Sequence, residues 1–178
     1  MKPKLLLHCC CGPCALYVIS KLQDSYDLTV FFYNPNIDPE EEYLKRKKTT
    51  EDYCKKNNIT FFDTEYEKQK WLRTIEGYEH EPEKGKRCIL CFRMRLEAAA
   101  IYAKKNGFEF FATTLTISPH KHSETINQIG RDLAQKYKIT FIDKDWAKQD
   151  GFKITMQMAR EHEFYIQRYC GCRFSLGS

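Results

Sequence analysis

Short hydrophobic runs and longer mixed segments alternate along most of the chain. The runs are rich in leucine, β-branched and aromatic residues with little polar interruption, which is typical of strands buried in a parallel sheet. They lie at residues 4–8, 28–33, 59–62, 108–115 and 139–142. The segments between them have the composition and apolar spacing of helices, at 15–22, 39–56, 65–77, 88–106 and 123–137. This alternation predicts a Rossmann-like three-layer α/β/α fold with a parallel sheet of about five strands.

The starts of two helices and the inner face of a third can also be predicted. Asp38 precedes Pro39 and three glutamates, so Asp38 is expected as the N-cap and Pro39 at the first helical position. Ser123 is expected to cap the helix that follows it. The side chains expected to face the core from the helix 88–106 are Leu90, Met94, the alanines 98–100 and Ile101.

The length of 178 residues, with 42% hydrophobic and 30% charged residues, indicates one globular domain. We expect residues 1–142 to form the sheet core and residues 143–178 a C-terminal appendage. No hydrophobic run approaches the ~20 residues of a membrane span, and the leucines before His8 are too few for a signal peptide. We therefore expect a cytoplasmic monomer without a membrane partner. The net charge of +5 permits a polyanionic partner such as RNA but does not demand one.

Nine cysteines dominate the candidate chemistry. In a reducing compartment, such a set indicates metal binding or catalysis rather than a disulfide framework. The adjacent cysteines 9–11, followed by Gly12, Pro13 and Cys14, stand where the first strand gives way to the first helix. Open α/β sheets bind their ligands at that edge. The loop lacks the glycine-rich motifs of nicotinamide and phosphate sites, which argues against a nucleotide-binding protein of those types.

A second pair of cysteines, Cys88 and Cys91, opens the helix 88–106. Positions three apart share one face of a helix, and a helix N-terminus lowers the pKa of a thiol. Zinc, iron–sulfur and redox dithiol chemistry all remain open for such a pair. Together with Cys10 and Cys11 it makes four thiolates, which is enough for a [4Fe–4S] cluster or a structural zinc. Adjacent cysteines favour the cluster, because neighbouring thiolates in one loop can reach two of its iron corners.

The third cysteine motif is Cys170-Gly171-Cys172, close to the end of the sequence. A disulfide across so few atoms is strained and comparatively oxidising, which suits a switchable redox pair better than a structural crosslink. The alternative is a chance pair in a mobile tail.

The remaining candidate residues each have two interpretations, apart from Cys54, which is expected to be structural. His8 is either a metal ligand or a core histidine with satisfied hydrogen bonds. His120 and His122 either contact substrate or lie in solvent. The basic run at residues 45–48 is either a solvated helix face or a contact for phosphates.

The order of these motifs resembles that of the cobalamin-independent epoxyqueuosine reductases over nearly the whole chain. The matching elements are His8-x-Cys10-Cys11-Gly12-Pro13-Cys14, Asn34-Pro35-Asn36, Cys88-x-x-Cys91 and Cys170-Gly171-Cys172. The family implies the last step of queuosine synthesis, in which an epoxide in the modified wobble base of tRNA is reduced to an alkene with loss of water. We expect a small electron-transfer protein or another reductant as the source of electrons.

The resemblance also implies roles for individual cysteines. Cys170 and Cys172 are then the redox-active pair. An iron ion is implied beside the cluster, with Cys14 as its candidate ligand, whereas Cys9 departs from the family pattern and is left as an extra thiol. The implied ligands of the [4Fe–4S] cluster are Cys10, Cys11, Cys88 and Cys91.

Two other functions fit the same residues. One is an iron–sulfur thiol–disulfide reductase with Cys-Cys-Gly domains, although Cys11 and Cys88 are far apart for its pattern. The other is a non-catalytic, zinc-stabilised RNA-binding module. Brown protein after anaerobic purification would favour iron, whereas colourless protein with bound zinc would favour the RNA-binding module.

Overall fold

The computed structural model describes residues 1–175. Within this range, five strands form a single sheet in which all neighbours are parallel and the order is β3-β2-β1-β4-β5. The strands are β1 (Lys4–His8), β2 (Asp27–Phe32), β3 (Thr60–Asp63), β4 (Phe110–Thr113) and β5 (Thr140–Phe141). The prediction of an α/β fold on a five-stranded parallel sheet is confirmed. Because the order runs outward in both directions from β1, the chain reverses there, and α/β folds bind ligands beside such a reversal.

Six α-helices connect or flank these strands in the described part of the chain. They are α1 (Gly12–Leu22), α2 (Glu40–Lys56), α3 (Lys68–Thr74), α4 (Lys86–Lys105), α5 (Ser123–Tyr137) and α6 (Gly151–Glu161). Helix α4 packs against α5, whereas α1 packs against both α2 and α6. None of the described helices is long and apolar enough to cross a lipid bilayer.

The sheet has an apolar core on each face, because successive side chains of a strand point to opposite sides. In β1, Leu6 packs in the core that includes α4 and α5. Its neighbours Leu5 and Leu7 pack in the other core, with α1 and Cys54 of α2. All three leucines are fully buried. Both faces of the sheet are therefore covered by helices. Because the strands are parallel, their carboxyl ends all lie at the same edge of the sheet.

Two predicted helix caps and one predicted core residue are wrong. Pro39, rather than Asp38, occupies the N-cap position of α2, and the Asp38 carboxylate is bound instead by Lys68 and Arg173. His122 caps α5, and Ser123 is the first helical residue. Ile101 is 46% exposed. The buried stripe of α4 follows the helical period through residues 92, 95, 96, 99, 100 and 103, so position 101 lies outside it.

Candidate active site

The cysteine loop lies at the carboxyl end of β1, as the sequence predicts. Cys9 still belongs to the sheet edge, since its backbone N–H donates to Phe31 O at 2.9 Å. Helix α1 begins at Gly12, which brings Cys14 into its first turn. A Cβ at Gly12 would lie 2.7 Å from the ring of Phe164 and 2.8 Å from Thr49. The loop therefore needs glycine at this position because the C-terminal segment packs directly against it.

Three thiols of this loop converge. The Sγ atoms of Cys10, Cys11 and Cys14 all lie within 4.8 Å of one another, and all three residues are buried. Hydrogen bonds from the Cys11 and Cys14 thiols hold the pKa of Cys10 well below its usual range. Burial raises the pKa of Cys11 to about 12. Among the described residues, this is the one group of three or more side chains close enough to share a metal ion.

Cys9 points away from this group. It packs with Cys54 in the apolar core on the opposite side of the sheet, and its thiol donates to the backbone oxygen of Cys11 at 3.1 Å. Both cysteines are fully buried. They therefore have the surroundings of structural cysteines.

The cysteines of α4 lie next to those of the C-terminal segment. Cys88 is half-buried and lines a cavity together with Cys170. Cys91 is buried in an apolar cluster that also contains Cys172. Burial raises the pKa of Cys91 to about 12, against the lowering expected from its place near a helix start. All four are free thiols in the structure.

One cavity of about 350 Å³ brings the cysteine-bearing segments together. Its lining includes Cys10 and Cys14 from the loop, Cys88 from α4 and Cys170 from the C-terminal segment. Apolar side chains from α4, α6 and the C-terminal segment form much of the remaining wall, namely Phe92, Phe152, Met156 and Ile166. The cavity is therefore a pocket with thiols on several sides and apolar groups between them.

Sequence reasoning missed a buried cation beside the thiols. Arg95 follows Cys91 by one helical turn and is only 2% exposed. Its Nη2 donates to Asn34 Oδ1 at 2.5 Å, and Asn34 in turn donates to the backbone oxygen of Cys9 at 2.9 Å. Its Nε has no partner, and no carboxylate of residues 1–175 is within ion-pair distance of it. Four-residue spacing from Cys91 was the signal that could have identified it.

A second cation faces the same thiols. Lys121 is half-buried and lines the cavity with Cys10, Cys14 and Cys170. Burial alone would lower the pKa of Lys121, but the negative charge of these three cysteines raises it above its usual range. The ammonium group therefore stays protonated across the physiological range.

The histidines have mostly structural surroundings. His8 is fully buried, with Nδ1 3.0 Å from Thr113 Oγ1 and Nε2 3.1 Å from the backbone oxygen of Tyr33. Burial, reinforced by Arg95, lowers the pKa of His8 to about 3. Neither ring nitrogen is free for a metal. His122 caps α5, whereas His120 lines the cavity.

The basic run of α2 contains an unexpected buried member. Lys48 is solvated and pairs with Asp52 at 2.8 Å, as expected of a helix face. Arg46 is 2% exposed and donates to the backbone oxygens of Tyr169 and Cys170 at 3.0 and 3.1 Å. The interpretation of the whole run as a solvated face is therefore wrong at Arg46, and sequence alone does not distinguish it from its neighbours.

One side chain of the C-terminal segment reaches the cysteine loop. Gln167 Nε2 donates to Cys11 Sγ at 3.0 Å and lies 4.0 Å from Cys14 Sγ. Its Oε1 is buried and has no hydrogen-bond partner within residues 1–175. Gln167 thus connects the C-terminal segment directly to the cysteine loop.

Comparison with solved structures shows the same fold in tRNA-related proteins. A protein from Methanocaldococcus jannaschii, described as a predicted subunit of tRNA methyltransferase, aligns over 88% of this chain and 75% of its own, with a TM-score of 0.57 and 14% identity. The U34-tRNA thiolase NcsA from Methanococcus maripaludis, solved with its [4Fe-4S] cluster, aligns over 98% of this chain and 62% of its own, with a TM-score of 0.59 and 12% identity. At these identities the likeness concerns the fold.

Sequence relatives are much closer. The family model "Epoxyqueuosine reductase QueH" matches residues 5–178. Proteins of that name are 46% identical in Acinetobacter baylyi, covering 97% of this chain and 80% of the relative, and 43% identical in Haemophilus influenzae, covering 97% and 71%. The relative in Thermotoga maritima is 36% identical, covering 97% of this chain and 90% of its own. The chain therefore belongs to the epoxyqueuosine reductase QueH family, a family of oxidoreductases.

Proposed function

We propose that this chain reduces epoxyqueuosine in tRNA to queuosine. The reaction adds two electrons and two protons to the epoxide, breaks its two carbon–oxygen bonds, and gives an alkene and water. The observation that carries the proposal is the cavity, where thiols from three separate segments meet in a chain of this family. A tRNA substrate also favours a cytoplasmic location.

The residues of the site fit an iron–sulfur cofactor. The donors are thiolates, which iron–sulfur clusters prefer. The proposed ligands of a [4Fe–4S] cluster are Cys10, Cys11, Cys88 and Cys91. Cys14 is the proposed ligand of a neighbouring iron, because its Sγ belongs to the same close group as those of Cys10 and Cys11. When bound, the cluster would supply electrons one at a time.

Charge supports the same cofactor. An isolated charge buried in protein costs several kcal/mol unless an opposite charge compensates it. Arg95 is buried without a carboxylate partner among the described residues, and Lys121 faces the same thiols. The site therefore favours a group of net negative charge, and thiolate-ligated clusters have one.

The chain's own residues bind the substrate and supply protons. The apolar wall of the cavity, with Phe152 and Ile166, can hold the modified base and exclude water. The Lys121 ammonium lines the cavity and can hydrogen-bond the departing epoxide oxygen. Two electrons and two protons are released when Cys170 Sγ and Cys172 Sγ pass from dithiol to disulfide, which balances the reduction.

The exposure of the proposed redox pair suggests how it is reset. Cys170 is exposed, whereas Cys172 is 9% exposed. An external thiolate, from a small electron-transfer protein or a chemical reductant, would attack Cys170 Sγ of the disulfide and release Cys172 as the thiolate. A second external thiol would then release Cys170, so that the reductant leaves as a disulfide and the dithiol is restored. The greater solvent exposure of Cys170 therefore determines which of the two sulfur atoms the external thiolate attacks.

The decisive experiment combines metal content with a substrate comparison. Protein purified without oxygen should be brown and contain iron, and should convert epoxyqueuosine-containing tRNA to queuosine-containing tRNA, as measured by mass spectrometry of the nucleosides. Cys54→Ser, a change in the opposite core, is the matched control and should retain conversion. Protein that holds only zinc, or that reduces disulfides but not the epoxide, would contradict the proposal.

A further inference from the structure

We propose that Arg46 is the positioning residue that holds the Cys170-Gly171-Cys172 segment against the cavity. The role of that segment in electron transfer rests on the proposed function, but its anchoring does not. Helix α2, which carries Arg46, is remote in sequence from the segment that it holds. Arg46 is the buried member of the basic run 45–48, whose three lysines are exposed or half-buried.

Every nitrogen of the Arg46 guanidinium is engaged. Its Nη1 and Nη2 donate to the backbone oxygens of Cys170 and Tyr169 at 3.1 and 3.0 Å. Its Nε donates to Glu42 Oε1 at 2.7 Å, and the group lies 5.2 Å from the centre of the Tyr169 ring. A planar fork with several donors and a flat face is specific to arginine, and lysine cannot reproduce it.

The backbone conformation at Gly171 also allows the Arg46 guanidinium to approach the segment closely. Gly171 has φ +114°, a conformation that L side chains rarely adopt, and a Cβ there would lie 2.9 Å from Arg46 Nη1 and 3.1 Å from Ile37. The Gly171 oxygen accepts from the backbone N–H of Asp38 at 2.7 Å. Close approach of Arg46 therefore requires glycine between the two cysteines.

Hydrogen bonds to Glu42 and Asp38 hold the C-terminal segment in addition to those of Arg46. Glu42, which accepts from Arg46, also accepts from the Tyr165 hydroxyl at 2.6 Å. Asp38 accepts from Arg173 Nε through its carboxylate at 2.7 Å, and from the Tyr169 hydroxyl through its backbone oxygen at 2.6 Å. The segment is thus held on each side of the cysteine pair.

The hydrogen bonds from Arg46 bind the backbone of the segment and leave its sulfur atoms free. Both hydrogen bonds from Arg46 to the segment are to backbone carbonyl oxygens, and Cys170 and Cys172 remain free thiols. In this position Cys170 lines the cavity beside Cys88, and Cys172 packs in the cluster with Cys91. Arg46 therefore keeps the pair next to the α4 thiols while allowing its own sulfur chemistry.

The test compares Arg46→Lys with Lys48→Met in iron-loaded protein. Lys48 lies in the same run, but its ammonium bonds Asp52 on the helix surface. Two quantities are to be measured by mass spectrometry. They are the alkylation rate of Cys172 and the dithiol–disulfide equilibrium of Cys170 and Cys172 in glutathione buffers. Loss of two charge-assisted bonds should speed alkylation on the order of tenfold or more. The strained disulfide should also form more readily, since the backbone is no longer held.

Gly171→Ala provides a second variant that leaves α2 unchanged. Its Cβ should displace the segment from Arg46 and shift both measurements in the same direction. The proposal is overturned if Arg46→Lys and Gly171→Ala give the rates and equilibrium of Lys48→Met. Full turnover in the Cys170→Ser/Cys172→Ser double variant would instead contradict the proposed redox role, and the anchoring measurements would still stand.

Discussion

Two of the three cysteine-bearing segments at the cavity are held in place by different means. The loop of residues 9–14 is fixed by its own secondary structure, since it joins the end of β1 to the start of α1. The segment 170–172 follows α6 and is held by side chains of remote elements, above all Arg46 and Asp38. One region is therefore positioned by the backbone of the sheet, and the other by a few charged contacts that can be removed singly.

This difference suggests a division of labour. A metal site needs ligands fixed within a fraction of an ångström, which strand ends and helix starts provide. A redox pair must change its sulfur–sulfur distance in each cycle, and a segment held through carbonyl oxygens can do so. We expect substitution of the converging loop cysteines Cys10, Cys11 and Cys14 to abolish activity, and substitutions around the segment to weaken it by degrees.

The largest effect is expected from Cys10→Ser compared with Cys9→Ser. Cys10 lines the cavity and belongs to the close thiol group, whereas Cys9 points into the opposite core. Loss of a metal ligand should lower tRNA turnover by more than about 100-fold and reduce bound iron. Cys9→Ser should retain iron and show mainly a lower free energy of unfolding. Equal iron loss in both variants would contradict this assignment, because it would show that Cys9 also binds iron although its side chain points into the opposite core.

Arg95→Met should have opposite effects on the metal-free and the iron-loaded protein. Without metal, the substitution removes a buried charge that lacks a carboxylate partner, so the thermal midpoint should stay the same or rise. With iron, loss of the cation should weaken metal retention by roughly 10- to 100-fold, as measured by competition with a chelator. A merely structural arginine would instead destabilise both forms alike.

The loop and the C-terminal segment also differ in how far their positions could be predicted from the sequence. The loop of residues 9–14 could be located because its motif and its strand–helix context are local. Arg46 could not be singled out within four adjacent basic residues, because its burial depends on a segment more than a hundred positions away. The local sequence favours Asp38 as a helix cap, but its carboxylate is bound by Lys68 and by Arg173, and Arg173 is also more than a hundred positions away. Tertiary contacts overrode the local preference in both cases.

Acid should release the C-terminal segment through Asp38. Burial alone would raise the pKa of Asp38, but the bonds from Lys68 and Arg173 hold it below its usual range. A carboxyl whose pKa is lower in the folded state stabilises that state at pH above its unfolded pKa of about 4. This contribution is lost as the pH falls through the lower native value.

Hydrogen exchange of residues 165–175 measures this release. Protection should decrease as the pH falls below about 4, and Asp38→Asn should show a similar loss already at pH 7, on the order of tenfold. Amides of β1 serve as the internal reference, because the sheet does not depend on Asp38. Protection that falls equally in β1 and in the segment would indicate global unfolding instead.

The smallest effect is expected where the two regions touch. Gln167 Nε2 donates to Cys11 Sγ at 3.0 Å, and hydrogen bonds to sulfur ligands raise the reduction potential of iron–sulfur centres. Gln167→Leu should therefore lower that potential and slow turnover by less than about tenfold, while iron content stays the same. The matched control is Gln157→Leu on α6, because the Gln157 amide donates to Glu161 at 2.8 Å on the surface. An unchanged potential would mean that the bond positions the segment without tuning the metal, so the two regions would be coupled in space but not electronically.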